Sequence, residues 1–145
     1  MTQTDVSPEV LPRLVAFDLD DTLAPSKSAM PPAMATALRR LLDVVPVCII
    51  SGGQVGQFRD QVLAHLDADA DELSRLHLMP TCGTRYYTYD PSQADQGTDA
   101  WKLVYANDLT PEQIRTGFEI VEAQARRLGL WEERTWGEIL EDRGS

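Results

Sequence analysis

Three short apolar runs, with stretches of helical spacing between them, limit most strongly how this chain can fold. The runs are LVAF within residues 13–18, PVCII at residues 46–50, and LHLM at residues 76–79. Compact apolar runs of this kind suit strands covered on both faces, as in a parallel sheet. Between the first two runs, Pro31 and Pro32 suit the first turn of a helix, and Met34, Leu38, Leu41 and Leu42 follow at helical spacing. Between the second and third, Val55, Phe58, Val62 and Leu66 mark one face of a second helix. This β-α-β-α-β order predicts a parallel sheet with right-handed crossovers.

The pattern changes near Thr84. RYYTYD and WKLVYAN read as an antiparallel pair joined by PSQADQGTDA, a polar loop too long for a tight hairpin turn. A well-punctuated helix follows, with Thr110 as N-cap, Pro111 at the first position, Gln113 completing a capping box and Gly129 closing the end. Its stripe is Ile114, Phe118, Val121, Ala125 and Leu128, and GEILED at residues 137–142 predicts a last strand. The division expected is a doubly wound half-domain over residues 1–84 and an α+β segment over residues 85–145.

At 145 residues the chain is of one-domain size, with 43% hydrophobic residues to supply a core. A net charge of -10 argues against nucleic acid or an anionic membrane as a partner. Cys48 and Cys82 form no CxxC pair; Cys48, inside VPVCII, reads as a buried free thiol, with a disulfide as the alternative. The opening MTQTDVSPEVLPR lacks the basic start and apolar stretch of a secretory signal, and no run approaches the roughly 18 apolar residues of a membrane span, so a cytoplasmic location is the expectation. DADADE at residues 67–72 reads as a solvated loop, His65 and His77 as a helix-surface and a strand-end residue, and Trp101, Trp131 and Trp136 as packing residues.

The first run ends in DLDDT, which sets Asp18, Asp20 and Asp21 where isolated charge is costly to desolvate. Ligands gather at the carboxyl ends of parallel strands, and both DLDDT and SGG at residues 51–53 fall at such ends. A carboxylate there can attack a phosphoryl group if a cation neutralises the approaching charge. Mg²⁺ suits such a site, since it keeps waters and uses one or two carboxylates with substrate phosphate. A second carboxylic acid nearby can protonate the leaving oxygen. SGGQVG lacks the spacing of a P-loop or of GxGxxG, and a tight turn into a helix is its other reading.

Asp18-Leu19-Asp20-Asp21-Thr22 after a hydrophobic strand resembles the first motif of the haloacid dehalogenase (HAD) superfamily, DxDx[TV], and Ile50-Ser51-Gly52 resembles its second. More narrowly, FDLDDTLAPSKSAMPPAMATALRRL is similar to the start of HAD-type phosphomannomutases and of related sugar-phosphate phosphatases with an α+β cap. The resemblance implies a Rossmann-like core, here an incomplete half, followed by part of that cap. It makes Asp18 the nucleophile that becomes phospho-aspartate and Asp20 the general acid and base, both on Mg²⁺. Ser51 and the N–H of Gly52 would hold the phosphoryl group, Thr22 would brace the loop, and Lys27 stands where phosphomannomutases commonly have a substrate-contacting Arg. The implied substrate is a phosphorylated sugar, with hydrolysis ahead of phosphomannomutase chemistry, and a homodimer through the cap is the implied assembly.

The superfamily's third motif, a Lys, and its fourth, an acidic pair, follow the cap in this subgroup, and neither Lys27 nor Lys102 is placed to be the former. The chain therefore reads as the front half of a longer phosphotransferase, weak or inactive alone, with a non-catalytic fragment as the other function class. LVAFD would then be an apolar sheet edge prone to self-association.

Overall fold

A computed structural model describes residues 12–94 and 100–142. Five strands form one mixed sheet in the order β1 (Val15–Phe17), β2 (Val47–Ile50), β3 (Leu76–Met79), β4 (Arg85–Tyr89), β5 (Trp101–Ala106). β1, β2 and β3 are parallel in register Val15–Val47 and Val47–Leu76, whereas β3–β4 and β4–β5 are antiparallel, with an irregularity between Tyr86 and Tyr87. The sheet thus continues past residue 84. Among the described residues β1 pairs only with β2, so LVAFD does lie at an edge.

Period-two alternation decides which side chains meet the helices. Val47, Ile49, Leu76 and Leu78 are wholly buried and form one core with Leu38 and Leu42 of α1 (Pro32–Leu42) and with Phe58, Val62 and Leu66 of the second helical stretch. Each such side chain, fully buried, contributes about 1.5–3 kcal/mol by leaving water. That second stretch is not one regular helix. It runs as α2 (Val55–Phe58), a π-helical segment (Arg59–Leu63) and α3 (Ala64–Leu66), and the wider turn keeps Phe58, Val62 and Leu66 on the core.

DADADE is a correction to the sequence reading. Rather than a solvated loop, it runs into α4 (Ala70–Ser74), capped by Asp69, whose carboxylate accepts the Glu72 N–H while the Glu72 carboxylate accepts the Asp69 N–H. Glu72 is buried because Arg39 Nε of α1 lies 2.9 and 3.0 Å from its two oxygens. A charge-assisted pair offsets the desolvation that an isolated acid would suffer. Arg75 adds a second clasp, donating to the carbonyls of Leu42 and Asp43 at the end of α1.

The polar connection after β4 begins with a short α5 (Pro91–Ala94), and residues 95–99 lie outside the described residues. α6 (Pro111–Arg127) has the capping box expected, with Gln113 N–H on Thr110 Oγ1 at 3.2 Å and Thr110 N–H on Gln113 Oε1 at 2.8 Å, and Gly129 follows at φ +67°. Its apolar stripe is only partly covered; none of its residues is fully buried. GEILED forms no strand, and Ile139 is exposed.

Cys48 and Cys82 are both free, Cys48 buried and Cys82 exposed. His65 is exposed, and His77 in β3 pairs through Nδ1 with the Tyr86 hydroxyl at 2.8 Å; burial pushes the His77 imidazole below its ordinary pKa. Of the tryptophans, Trp101 packs on the core, Trp131 lies under Arg126 at 4.6 Å, and Trp136 is fully exposed, contrary to the packing expected. No helix among the described residues is long and apolar enough to cross a membrane.

Candidate active site

The loop after β1 is built by one buried residue. Leu19, 0% exposed, turns its side chain into the core, while its carbonyl accepts the N–H groups of Leu23 at 3.0 Å and Ala24 at 3.2 Å. The chain folds back, and Asp21 N–H donates to Ala24 O at 2.7 Å. Asp21 takes a left-handed backbone at φ 58°, a conformation Asp tolerates, and its Oδ1 accepts the Ser26 N–H at 3.0 Å. Thr22 is exposed and joins this loop through its N–H, so the bracing comes from Leu19 and Asp21 rather than the threonine side chain.

Lys27 is left-handed as well, at φ 53°. Such a residue costs roughly 1–2 kcal/mol, and surrounding contacts must hold it there. The Lys27 N–H donates to Asp20 Oδ1 at 3.0 Å, and Gln57 Nε2 of α2 donates to Asp20 Oδ2 at 3.0 Å. One turn on, the buried Gln61 amide, oriented with its oxygen toward the loop, accepts from the Ser28 N–H at 3.0 Å, and the Gln61 carbonyl accepts from Met30 N–H at 2.8 Å. Two glutamines at helical spacing thus clasp the loop that carries the aspartates.

Ser51 ends β2 and is 7% exposed, with its Oγ accepting the Gly53 N–H at 3.3 Å. A turn, Thr81–Gly83, with all three residues at positive φ, is pinned to this segment: Cys82 N–H donates to Ser51 O and Thr81 N–H to Gly53 O, both at 2.9 Å. Strand ends and the start of a helix therefore share one cleft of about 610 Å³, lined by Asp20, Lys27, Ser51, Gly52, Gln57 and Asp60 among others.

Four of the five residues singled out from sequence, Asp20, Lys27, Ser51 and Gly52, line this cleft together. Asp18 does not. It is exposed at the end of β1, and its Oδ1 accepts the Leu19 N–H at 2.7 Å. Sequence reasoning missed Gln57 and Gln61; their spacing in GQFRDQ, just after SGG, was the available signal, but only the fold sets that helix across from the aspartate loop.

Gly53 explains how Gln57 reaches Asp20. A β-carbon at position 53 would collide with the Gln57 side-chain amide. Gly53→Ala is therefore expected to push Gln57 off Asp20 and to lower the unfolding free energy by about 1.5–3 kcal/mol, the worth of a hydrogen bond to a charged group. In urea denaturation, Gln57→Ala should cost little more once Gly53→Ala is present. Additive costs would show that the two do not act through one contact.

No protein-family model matches the sequence, and neither does any curated protein. Solved structures do match. The Plasmodium falciparum IMP-nucleotidase aligns over 90% of this chain at 14% identity and a TM-score of 0.61. A haloacid dehalogenase-like hydrolase from B. subtilis aligns over 78% at 18% identity and 0.56. The chain has the HAD fold.

A third neighbour, a phosphatase of the HAD superfamily from Bacteroides thetaiotaomicron, aligns over 85% of the chain at 14% identity and a TM-score of 0.51. The chain spans 37%, 34% and 40% of the lengths of these three proteins. The HAD fold thus found is the one that the DLDDT and ISG stretches suggested.

Proposed function

We propose that this chain carries part of the phosphoryl-transfer site of a HAD-type phosphohydrolase. The observation that supports this reading is the convergence of Asp20, Ser51, Gly52 and Lys27, from two parallel strand ends, on a single cleft. The cleft is acidic, with Asp20, Asp60 and Glu141 against one Lys27, so a phosphate entering it needs a cation.

The donors present suit Mg²⁺ with a small protein contribution. Among the described residues no group of three or more His, Cys, Asp or Glu is placed to hold a metal, which speaks against an all-protein cage. Mg²⁺ commonly takes one or two carboxylates and fills its octahedron with water and substrate phosphate. Asp18 would supply a carboxylate oxygen. Asp20, whose carboxylate oxygens already accept two N–H groups, would supply its backbone carbonyl, which takes part in neither loop bond around Ala24. When bound, the ion would neutralise the charge that builds between carboxylate and phosphate.

The protein's own steps then follow. In this reading Asp18, which stands outside the cleft lining with Oδ1 on the Leu19 N–H, must turn a carboxylate oxygen toward the bound phosphate; that oxygen then attacks phosphorus, the ester P–O bond breaks, and Asp20 passes a proton to the leaving oxygen. Asp20 next takes a proton from water, which displaces phosphate from Asp18 and restores the aspartate. Ser51 Oγ and the Gly52 N–H hold the phosphoryl oxygens, and Lys27 offers a point charge without the fork of an arginine. A phosphorylated sugar is the substrate proposed from the sequence.

Phosphate release from mannose 6-phosphate is expected to require Mg²⁺ and to stop with EDTA, at a rate well below that of an ordinary phosphatase. Mannose 1-phosphate as the product would show mutase chemistry instead. The pairing of β1 on one side only, among the described residues, favours a second reading, in which the segment is a non-catalytic module that self-associates through that edge or through α6. Oligomers with neither phosphate release nor Mg²⁺-dependent phosphate binding would select it over the enzyme.

A further inference from the structure

Asp20 is held at both of its carboxylate oxygens, by segments that follow two different strands. The Lys27 N–H, in the loop after β1, donates to Oδ1, and the Gln57 amide, on the helix after β2, donates to Oδ2, each at 3.0 Å. We propose that Gln57 is a positioning residue for the hydrolytic half of the reaction: its hydrogen bond aims Asp20 at the water that releases phosphate from Asp18. The proposal rests on the phosphoryl-transfer reading above and adds a residue to its machinery.

Three observations carry it. The first is the two-point hold. An aspartate tied at one oxygen still swings about its side-chain bonds, whereas one tied at both has its carboxylate plane set before substrate arrives, which is what an efficient proton transfer needs. A carboxylate has about four lone-pair sites, so two bonds leave capacity for a proton from water. The second is space. A β-carbon at Gly53 would collide with the Gln57 carboxamide, so the glycine at the start of this helix is what admits the glutamine. The third is rigidity on both sides. Phe58, next to Gln57, is wholly buried, and the buried Gln61, with its carboxamide oxygen toward the loop, accepts the N–H groups of both Lys27 and Ser28 at 3.0 Å. The helix is thus anchored in the core and the loop is anchored to the helix, which keeps both donors on Asp20.

Acetyl phosphate separates the two halves of the reaction. In the first, an Asp18 oxygen forms the bond to phosphorus, and acetate leaves with the electron pair of the broken P–O bond; acetate is stable as an anion and needs no proton. In the second, water forms the new P–O bond, Asp20 takes a proton from that water, and the electron pair of the bond to Asp18 returns to the carboxylate. A residue that positions Asp20 governs the second half alone. One that only supports the fold alters both halves or neither.

The full chain with Mg²⁺ present is labelled with acetyl phosphate and freed of reagent, and the loss of label is followed, with labelled chain unfolded in urea giving the uncatalysed rate. The native chain is expected to lose label faster than the unfolded one. Gln57→Met keeps the length of the side chain without its N–H donor. It should take label as the native chain does and lose it about 10–100-fold more slowly. Gly53→Ala, which keeps the glutamine but displaces it, should do the same. Label loss at the native rate in either variant, a fall in labelling that matches the fall in label loss, or native decay no faster than in the unfolded chain overturns the role of Gln57 and keeps Asp18 as nucleophile. If the native chain takes no label that Asp18→Asn removes, the phosphoryl-transfer reading falls and the role of Gln57 with it.

Discussion

Asp18→Asn is expected to lower Mg²⁺-dependent phosphate release by about 10⁴-fold while leaving the unfolding curve in place. The size follows from losing a nucleophile, which other groups of a site do not replace. The unchanged stability follows from position: Asp18 is exposed, and the hydrogen bond its side chain accepts, from the Leu19 N–H to Oδ1, can be kept by the asparagine oxygen. A surface change of this kind alters stability by about 0.5 kcal/mol or less. Because slow turnover is expected, the direct readout is phosphate held covalently after exposure to acetyl phosphate and lost on mild alkaline treatment, as an acyl phosphate is. The native chain should retain it and Asp18→Asn should not. Equal labelling, or equal phosphate release, would remove Asp18 from the chemistry. Asp20→Asn should differ in kind: a general acid is worth about 10²–10⁴ in rate, and this carboxylate also holds the Lys27 N–H and Gln57, so both activity and stability should fall.

Phe58→Ala is expected to abolish cooperative unfolding. Phe58 is 0% exposed at the junction of α2 and the π-helical segment, in one cluster with Val47, Ile49, Leu76 and Leu78. Truncating a buried phenylalanine costs about 3–5 kcal/mol, from lost transfer and the cavity left behind. Domains of this size hold only about 5–15 kcal/mol in total. Two features put it at the low end: among the described residues β1 has a partner on one side only, and α6 buries none of its residues fully. A thermal or urea melt by circular dichroism decides it. A sigmoidal transition displaced by less than about 1 kcal/mol would mean that the cluster is looser than the packing implies.

Much of the fold was legible because it rests on local rules. Pro32 at the start of α1, the capping box at Thr110 and Gln113, and the stretch Leu76–Met79 are each set by a few neighbouring residues, and the structure has them where the spacing put them. The failures share another cause. GEILED has strand composition, but a strand exists only when a neighbour accepts its hydrogen bonds, and composition does not report that neighbour. DADADE looks too acidic to be packed, and it is packed because Arg39, thirty-three residues earlier, reaches Glu72. At the site, DLDDT and ISG marked the strand ends. Gln57 and Gln61 had no motif to announce them, because their roles depend on which loop lies opposite.

By itself the sequence determined the alternation of strands and helices and the acidic loop after the first strand. Periodicity and charge are properties of the chain, readable before it folds. Only the tertiary structure decided that Asp20, Ser51, Gly52 and Lys27 share a cleft while Asp18 stands outside its lining, and that Gln57 crosses to Asp20 through the space Gly53 leaves. These are distances between segments thirty or more residues apart. They are fixed by how the sheet and its helices pack, and no local pattern encodes them.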